Sequence, residues 1–479
     1  MRATTPAPAR RDADADAPTL RLVFLPFLSR SHFGPVAAKA AAAAAAADAS
    51  AAATATIVTT PHFAALAPPN VAVHVAPFHF PGGHEDFSLL PSDVSPAAFF
   101  AAAEAALAPA LADAVRGSSS AAAVVAVVSD AVLHWAPRVA RECGVPHVTF
   151  HTIGAFAASA MVAIHHQREG EAPMPDAFHA VTRRAARGNE EAIAHVPLFR
   201  AAEADSFAVV FNSFAALESD FAEYYRTLDN GSPPNKVFLV GPSRAVAAAV
   251  TDGGERDPIL QWLDGQAARS VVYACFGSTC GMGTSQLREL AAGLRASGRP
   301  FLWVIPSAAA DAAVTTEKEE RASSHGMVVA GRWAPQGDIV AHRAVGGFLT
   351  HCGWNSTLDA VAAGVPLATW PLRAEQFLNE AFLVDVARVG VSVREEVDGD
   401  TDEDAEAVVV TAEAVASAVG RLMGGDDDAA ARRARAAELG VAARAAVADG
   451  GSSCGDWAEL MSQLRALHRH DTEAPHARS

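Results

Sequence analysis

Short apolar runs recur along this chain, and stretches of helical composition separate most of them. The first series comprises Leu20–Phe27, Ala55–Thr60, Val71–Phe78, Ala121–Asp130, Val148–Thr152, Phe207–Ser213 and Lys236–Pro242. The second comprises Ser270–Ser278, Phe301–Ile305, Met327–Ala330, Val345–Thr350, Pro366–Trp370 and Gly390–Val393. Strand–helix alternation predicts a parallel sheet covered by helices on both faces. Two series predict two doubly wound α/β domains, and ligands of such sheets bind beyond the carboxyl ends of the strands, here in the cleft between the domains.

The chain divides into five parts by composition, and its 479 residues are enough for two domains of ordinary size. We expect a disordered leader at 1–19, an N-terminal α/β domain at 20–242, a linker at 243–257, a C-terminal α/β domain at 258–454, and a terminal helix and tail at 455–479. The leader has no apolar h-region, so we expect no secretory signal.

Net charge and cysteine usage exclude several classes of protein. The formal net charge is −17, which argues against nucleic acid or an anionic membrane as the main partner. The five cysteines are scattered, without the spacing of a disulfide framework or a zinc site. No uninterrupted apolar run reaches the ~20 residues of a membrane span. We expect a monomeric cytoplasmic protein.

Between residues 333 and 379 the chain carries residue types suited to holding a nucleotide-sugar. Trp333 offers a flat ring that can stack on a base. The apolar run 345–350 ends at His351, and a Gly-Trp-Asn-Ser turn then opens a helix. A helix start offers unpaired N–H groups and a positive dipole end, which is where a diphosphate binds. Glu375 and Gln376 follow the next run and are suited to sugar hydroxyls.

This run resembles the signature box of the plant secondary-product UDP-glycosyltransferases over more than 40 consecutive positions. The resemblance implies the glycosyltransferase B (GT-B) architecture of two facing Rossmann-like domains, with 20–242 as the acceptor-binding domain and 258–454 as the UDP-sugar-binding domain. It also implies inverting transfer of a sugar from a UDP-sugar, a co-substrate, to a small acceptor. Gln376 stands at the last position of the box, where glutamine usually accompanies glucose donors and histidine accompanies galactose.

The resemblance assigns the nucleotide to the first part of the box. Trp333 should stack on uracil, Ala334 should read the uracil edge through its backbone, and Gln336 should contact the ribose. Asp359 is a departure, since most members carry a glutamate there that grips both ribose hydroxyls. The shorter side chain of Asp359 predicts a weaker or water-bridged contact.

The resemblance assigns the diphosphate and the sugar to the rest of the box. His351 should donate to the diphosphate, with Asn355 and Ser356 holding the same group at the helix start. Trp354 should present its backbone and its bulk to the sugar. Glu375 and Gln376 resemble the pair that binds the 2-, 3- and 4-hydroxyls of the sugar.

Transfer to a hydroxyl also needs a general base, and histidine suits that work near neutral pH. His32 lies at the carboxyl end of the first predicted strand, in a turn Ser29–Pro35 that we expect to precede a helix starting at Val36. The family motif around this histidine is present except for Ser31, where glycine is usual. Asp130 ends another strand and can orient His32, and it can also cap the following helix.

Two further positions and a rival base complete the predicted site. Thr152 matches a family position that contacts the sugar or the phosphate, and helix capping is an equally simple role for it. Ser278 resembles a phosphate contact after the first strand of the second domain. His151 is a rival base by proximity alone. The segment 211–225, which contains Leu217-Glu218, resembles a family landmark that we interpret as scaffold.

Metal and dinucleotide sites are not predicted. No Gly-x-Gly-x-x-Gly follows the first strand, and the acidic clusters at Asp12–Asp16 and Asp398–Asp404 do not end strands, so we expect no metal. Two alternatives remain open. A UDP-sugar 2-epimerase shares the architecture but needs additional acid/base residues, and a non-catalytic UDP-sugar-binding protein should lack the His32–Asp130 pair.

The acceptor pocket is the least constrained part of the prediction. Loops of the first half, around 78–90, 150–164 and 173–199, should form it. An apolar wall in these loops favours a flavonoid or another flat phenolic; its members are Phe78, Phe80, Phe87, Phe99, Phe100 and Phe156.

Overall fold

The computed structural model describes most of the chain. The described residues are 20–46, 53–91, 94–117, 124–170, 178, 193–228, 236–243, 257–277, 282–305, 325–331, 334–394 and 409–473. The predictions for the leader, for nearly all of the linker, for the acidic loop 398–404, and for Ser278 and Trp333 therefore concern residues outside the described ranges.

The strands form two separate sheets. The first is ordered β3-β2-β1-β4-β5-β6-β7, and the second β10-β9-β8-β11-β12-β13. The first sheet contains β1 (Leu20–Leu25), β2 (Thr54–Thr59), β3 (Ala72–Val75), β4 (Val124–Asp130), β5 (His147–His151), β6 (Ala208–Phe211) and β7 (Val237–Leu239). The second contains β8 (Val271–Cys275), β9 (Phe301–Ile305), β10 (Gly326–Ala330), β11 (Val345–Thr350), β12 (Leu367–Thr369) and β13 (Gly390–Ser392).

All the paired strands of both sheets run parallel, as the alternation predicts. The central strands are buried on both faces; β11, for example, is buried along its whole length. Parallel sheets covered on both faces read as continuous apolar runs for this reason. The predicted fold class, two facing Rossmann-like α/β halves, is confirmed.

Helices cover both sheets. In the first half they are Arg30–Ala45, Pro61–Ala64, Pro96–Arg116, Ala136–Glu142, Ala155–Arg168, Val196–Ala204 and Ala215–Thr227. In the second half they are Pro258–Asp264, Thr284–Ala296, Gln336–Val340, Trp354–Ala363, Gln376–Ala381, the π-helix Phe382–Val386, Ala412–Met423, Asp427–Val447 and Ser452–Glu473.

The last helix, Ser452–Glu473, packs on the first half although it follows the second. Asp456 accepts a hydrogen bond from the N–H of Leu239 at the end of β7, 2.7 Å away. Trp457 and Leu460 lie in the apolar core of the first sheet. This helix therefore ties the end of the chain to the first half.

One helix has a composition that also occurs in membranes. By length and hydropathy alone, Pro96–Arg116 is the one helix in the described part of the chain that could cross a bilayer. Phe99, Leu107 and Leu111 of this helix are fully buried in the core of the first half. Packing within the fold therefore accounts for its apolar residues.

Candidate active site

The first catalytic candidate lies in a helix, not in a turn. The expectation that Ser29–Pro35 forms a turn is wrong, since the helix Arg30–Ala45 begins one residue into this segment and includes Pro35. Pro35 is the sixth residue of this helix, beyond the first turn, so its missing N–H leaves the carbonyl of Ser31 without its usual intrahelical donor. His32 therefore projects from the first helical turn after β1.

His32 and Asp130 meet as predicted. Nδ1 of His32 lies 2.8 Å from Oδ2 of Asp130, and the other carboxylate oxygen accepts the N–H of Val132 at 3.1 Å. The contact with the imidazole is as predicted, but the alternative of helix capping by Asp130 is wrong: the next helix, Ala136–Glu142, begins after Trp135 without a side-chain cap, and Asp130 caps only its own turn. Because Nδ1 donates to the carboxylate, Nε2 carries the lone pair that a general base needs.

Thr152 supports the same imidazole. Its Oγ1 lies 3.0 Å from Nδ1 of His32. The N-cap residue of the following helix, Ala155–Arg168, is Gly154, and the N–H of Phe156 at its start is bonded to Glu218, so the alternative of helix capping by Thr152 is wrong. In this structure Thr152 contacts the candidate base rather than the helix.

Carboxylates from both halves act on His32. Burial would lower the pKa of His32, but the charges of Asp130 and Glu375 outweigh it and the pKa is raised. Burial raises the pKa of Glu375 in turn. Since Asp130 belongs to the first half and Glu375 to the second, the imidazole is placed where the halves meet.

The rival base, His151, lies outside the site. Its Nε2 contacts Oε1 of the fully buried Glu203 at 2.5 Å, and its ring stacks on Phe211. Arg200 and Tyr225 also donate to Glu203. Successive side chains of a strand alternate between faces, so His151 enters this core network while the next residue, Thr152, meets His32.

An aromatic cluster adjoins the candidate base. The ring of Phe27 packs edge-on against His32, with centroids 5.4 Å apart, and stacks on Phe100 at 5.0 Å. Five members of the predicted apolar wall belong to this cluster: Phe78, Phe80, Phe87, Phe99 and Phe100. The sixth, Phe156, belongs to a different cluster with Phe221 and Phe382, so placing it in the same wall was wrong.

The turn predicted to bind the diphosphate comes directly after β11 in sequence. Cys352 has a positive φ of 66°, and Asn379 donates to its carbonyl at 2.9 Å. The imidazole of His351 lies between two glycines: a Cβ on Gly277 would come within 2.7 Å of Nε2, and one on Gly353 within 2.5 Å. Burial lowers the pKa of His351 to about 4, so a neutral ring donates one N–H here.

Three side chains predicted to serve the nucleotide are already joined to one another. The amide nitrogen of Gln336 lies 3.0 Å from Oδ2 of Asp359 and 3.1 Å from Oγ of Ser356. The hydroxyl of Ser356 is therefore occupied by Gln336 rather than directed only at a diphosphate. The predicted neighbour Ala334 is buried, and its carbonyl accepts the N–H of Gln336 at 2.8 Å.

Asn355 and Trp354 cross the cleft. Asn355 donates to the main-chain carbonyl of Ser31, and Nε1 of Trp354 donates to the carbonyl of Asn212 at 2.8 Å. The indole is only 3% exposed and packs against Gly154, so the expectation that its bulk faces the sugar is wrong.

Gln376 has a fixed orientation beside Glu375. Its Oε1 accepts the N–H groups of Leu372 at 3.0 Å and Arg373 at 3.1 Å. The amide nitrogen is then the group that Gln376 can offer to a ligand. Glu375 precedes it as the N-cap residue of the helix Gln376–Ala381.

Asn212 is a site residue that sequence reasoning missed. Besides its contact with Trp354, its amide donates to Oδ1 of Asn355 at 3.3 Å, and its Oδ1 accepts the N–H of Ser243 at 2.7 Å. The signal was its place directly after β6, a carboxyl end, within a segment that we interpreted only as scaffold.

Comparison with known proteins decides the family. The family model for UDP-glucoronosyl and UDP-glucosyl transferases matches residues 254–413. UDP-glycosyltransferase 73C3 of Arabidopsis thaliana is 33% identical over 94% of this chain and 97% of its own length. UDP-glycosyltransferase 73B4 of the same plant is 37% identical over 71% of this chain and 74% of its own. This chain belongs to the UDP-glycosyltransferase family.

Solved structures of plant UDP-glycosyltransferases share the whole fold. UGT73P12 of Glycyrrhiza uralensis, complexed with glycyrrhetinic acid 3-O-monoglucuronide, aligns with a TM-score of 0.77 at 29% identity, over 95% of this chain and 97% of its own. UGT71G1 of Medicago truncatula, complexed with UDP-glucose, aligns with a TM-score of 0.73 at 26% identity, over 95% of this chain and its entire length, 100%. The protein is therefore a GT-B glycosyltransferase that uses a UDP-sugar.

Proposed function

We propose that this UDP-glycosyltransferase transfers glucose from UDP-glucose to a hydroxyl of a flat phenolic acceptor, inverting the anomeric centre without a divalent metal. The observation that carries the proposal is the contact of His32 with Asp130 beside a cluster of phenylalanines. The pair supplies a base, and the cluster supplies an apolar wall next to it. We further propose that the enzyme works as a monomer in the cytoplasm.

The chemistry follows from the placement of these groups. Nε2 of His32 takes the proton of the acceptor hydroxyl as its oxygen attacks C1 of the sugar. The C1–O bond to the diphosphate breaks as the new bond forms, so one displacement inverts C1. Asp130 stabilises the imidazolium through Nδ1. The start of the helix Trp354–Ala363 and the N–H of His351 receive the leaving diphosphate.

Glucose is proposed as the donor sugar because of Gln376. Its Oε1 is held by two main-chain N–H groups, so its amide nitrogen is left to donate to a sugar hydroxyl. A relative of similar fold, UGT71G1 of Medicago truncatula, was solved with UDP-glucose.

The phenolic acceptor is proposed from the cluster of Phe27, Phe87 and Phe100, whose rings are tilted or stacked at 5.0–5.4 Å. Such ring spacings are those of favourable aromatic pairs, and a flat ring can join them. One relative, UGT2 of Phytolacca americana, 25% identical over 93% of this chain, was solved in complex with pterostilbene.

A product assay tests the proposal. The enzyme is incubated with UDP-glucose, UDP-galactose or UDP-glucuronate and a panel of phenolic, triterpenoid and aliphatic alcohols, in the presence of EDTA. We expect β-glucosides of phenols, recognised by the anomeric coupling constant in NMR spectra. An α-linked product contradicts inversion, loss of activity that magnesium restores contradicts the metal-free mechanism, and a preference for triterpenoids contradicts the acceptor class.

A further inference from the structure

Glu218 is a buried carboxylate that the reaction described above leaves without a role. It is 1% exposed and lies in the first turn of the helix Ala215–Thr227. Its backbone departs from helical geometry, with φ −139° and ψ 20°. A buried carboxylate is costly unless hydrogen bonds compensate for it, so its contacts identify what it holds.

The carboxylate caps a helix to which it does not belong. Its Oε1 accepts the N–H of Phe156 at 2.8 Å. Phe156 is the second residue of the helix Ala155–Arg168, whose N-cap, Gly154, has no side chain. An acceptor with negative charge at this end satisfies an unpaired N–H and complements the helix dipole. Glu218 therefore supplies the cap that Gly154 lacks.

Gly154 is packed between Glu218 and the donor-binding half. A Cβ on Gly154 would lie 2.7 Å from Oε1 of Glu218 and 2.9 Å from two ring carbons of Trp354. Trp354 stands in the turn that opens the diphosphate-binding helix. The glutamate and the indole thus hold the same residue from two sides, one from each half of the protein.

The segment held in this way also carries Thr152. Only Ile153 separates Gly154 from Thr152, whose hydroxyl lies 3.0 Å from Nδ1 of His32. We infer that Glu218 is a positioning residue: by fixing the start of the helix Ala155–Arg168 against Trp354, it sets the place of Thr152, and through it the imidazole of His32, relative to the donor. This inference rests on His32 being the general base proposed above.

The raised pKa of Glu218 makes the stability of the protein depend on pH, which can be measured. Burial raises the pKa of this carboxyl to about 7, against the side chain of Ser213 and the main-chain N–H groups of Phe156 and Ala155, which lower it. The folded pKa exceeds the unfolded value, so the stability contributed by the neutral form is present at low pH and is lost as the pH rises through about 7. A glutamine here keeps an acceptor for Phe156 without the buried charge.

The test compares Glu218→Ala and Glu218→Gln with Asp426→Ala. Asp426 caps the helix Asp427–Val447, accepting the N–H of Ala429 at 2.8 Å, and lies outside the site described here, so it controls for the loss of a cap. Turnover is measured with a weakly acidic alcohol and an acidic phenol, UDP affinity by calorimetry, and unfolding between pH 5 and 8.

We expect Glu218→Ala to lower kcat for the alcohol by about 10- to 100-fold, the scale of a misplaced catalytic group, and for the acidic phenol by less. UDP affinity should stay near wild type. Glu218→Gln should restore most of the turnover and should gain stability over wild type as the pH rises. Asp426→Ala should lose stability alone.

Three outcomes overturn the inference: wild-type kcat in folded Glu218→Ala, an equal loss for both acceptors, or a Glu218→Gln enzyme as impaired as Glu218→Ala. His32→Ala with the same two acceptors separates this failure from failure of the base. If His32→Ala discriminates between the acceptors and Glu218→Ala does not, only the inference fails. If His32→Ala does not discriminate, the proposed base itself is wrong.

Discussion

The side-chain amide of Asn355 donates a hydrogen bond across the cleft to the main-chain carbonyl of Ser31. In a regular helix that carbonyl would accept the N–H of the residue four positions later, which is Pro35 and has none. Asn355 lies in the first turn of the helix Trp354–Ala363, which we propose to bind the diphosphate, and Ser31 directly precedes His32. A proline in the sequence thus frees the acceptor that joins the donor half to the base-bearing helix.

Replacing Pro35 with alanine should weaken this connection, because residue 35 then offers its own N–H to Ser31. Loss of a hydrogen bond worth ~0.5–1.5 kcal/mol should lower kcat/KM roughly 2- to 10-fold. Pro109→Ala is the matched control, since Pro109 also lies inside a helix but away from the cleft. Steady-state kinetics check the effect, and equal kcat/KM in both variants contradicts it.

The pH dependence of turnover should follow the raised pKa of His32. The base must be neutral, so kcat/KM should rise with pH through a value above the ordinary 6.5 of histidine. Asp130→Asn removes the main cause of the increase, so its acid limb should move to lower pH while its rate falls. If the acid limb of the kcat/KM–pH profile of Asp130→Asn stays at the wild-type pH, a group other than His32 controls the profile.

Gln376→His should lower kcat/KM for UDP-glucose. The loss of transition-state stabilisation should be about 1–3 kcal/mol, the cost of hydrogen bonds left unmade. The change removes the sugar-facing amide and also the acceptor for the N–H groups of Leu372 and Arg373. Gln376→Glu retains that acceptor and separates the two effects. Kinetics with UDP-glucose and UDP-galactose measure the outcome, and an unchanged ratio between them assigns donor choice to other residues.

His151→Ala should destabilise the protein and leave the turnover of the folded enzyme close to wild type. Its imidazole contacts Glu203 within the core, and Glu203 keeps Arg200 and Tyr225 as donors when it is lost. Leaving one buried acceptor position unsatisfied should cost about 1–3 kcal/mol. Chemical denaturation measures the loss of stability, and assays at low temperature measure the turnover of the folded enzyme. A loss of turnover as large as that of His32→Ala would make His151 a candidate base again.

The fold was predictable because apolar runs in a doubly wound protein are its strands, and their carboxyl ends locate the cleft. The His32–Asp130 contact was predicted from the same rule together with the family resemblance. Helix boundaries were less predictable: Pro35 suggested a turn, yet it lies inside a helix, and Asn355 donates to the carbonyl of Ser31 in place of the N–H that Pro35 lacks.

Contacts between the halves could not be predicted, since no periodicity encodes which side chains meet across a cleft. Trp354 reads as a sugar-facing ring in sequence, but its indole N–H finds the carbonyl of Asn212 in the other half. Glu218 reads as scaffold, and only the structure places its carboxylate at the start of another helix. Long-range partners of this kind depend on the tertiary arrangement.

Turnover by His32→Ala tests the central claim most directly. Removing a general base typically costs 10²–10⁴-fold in rate. We predict a loss of about that size with a weakly acidic alcohol, a smaller loss with an acidic phenol that ionises without help, and unchanged UDP affinity, because the diphosphate turn lies in the other half. Near wild-type turnover of the weakly acidic alcohol by this variant would contradict the account.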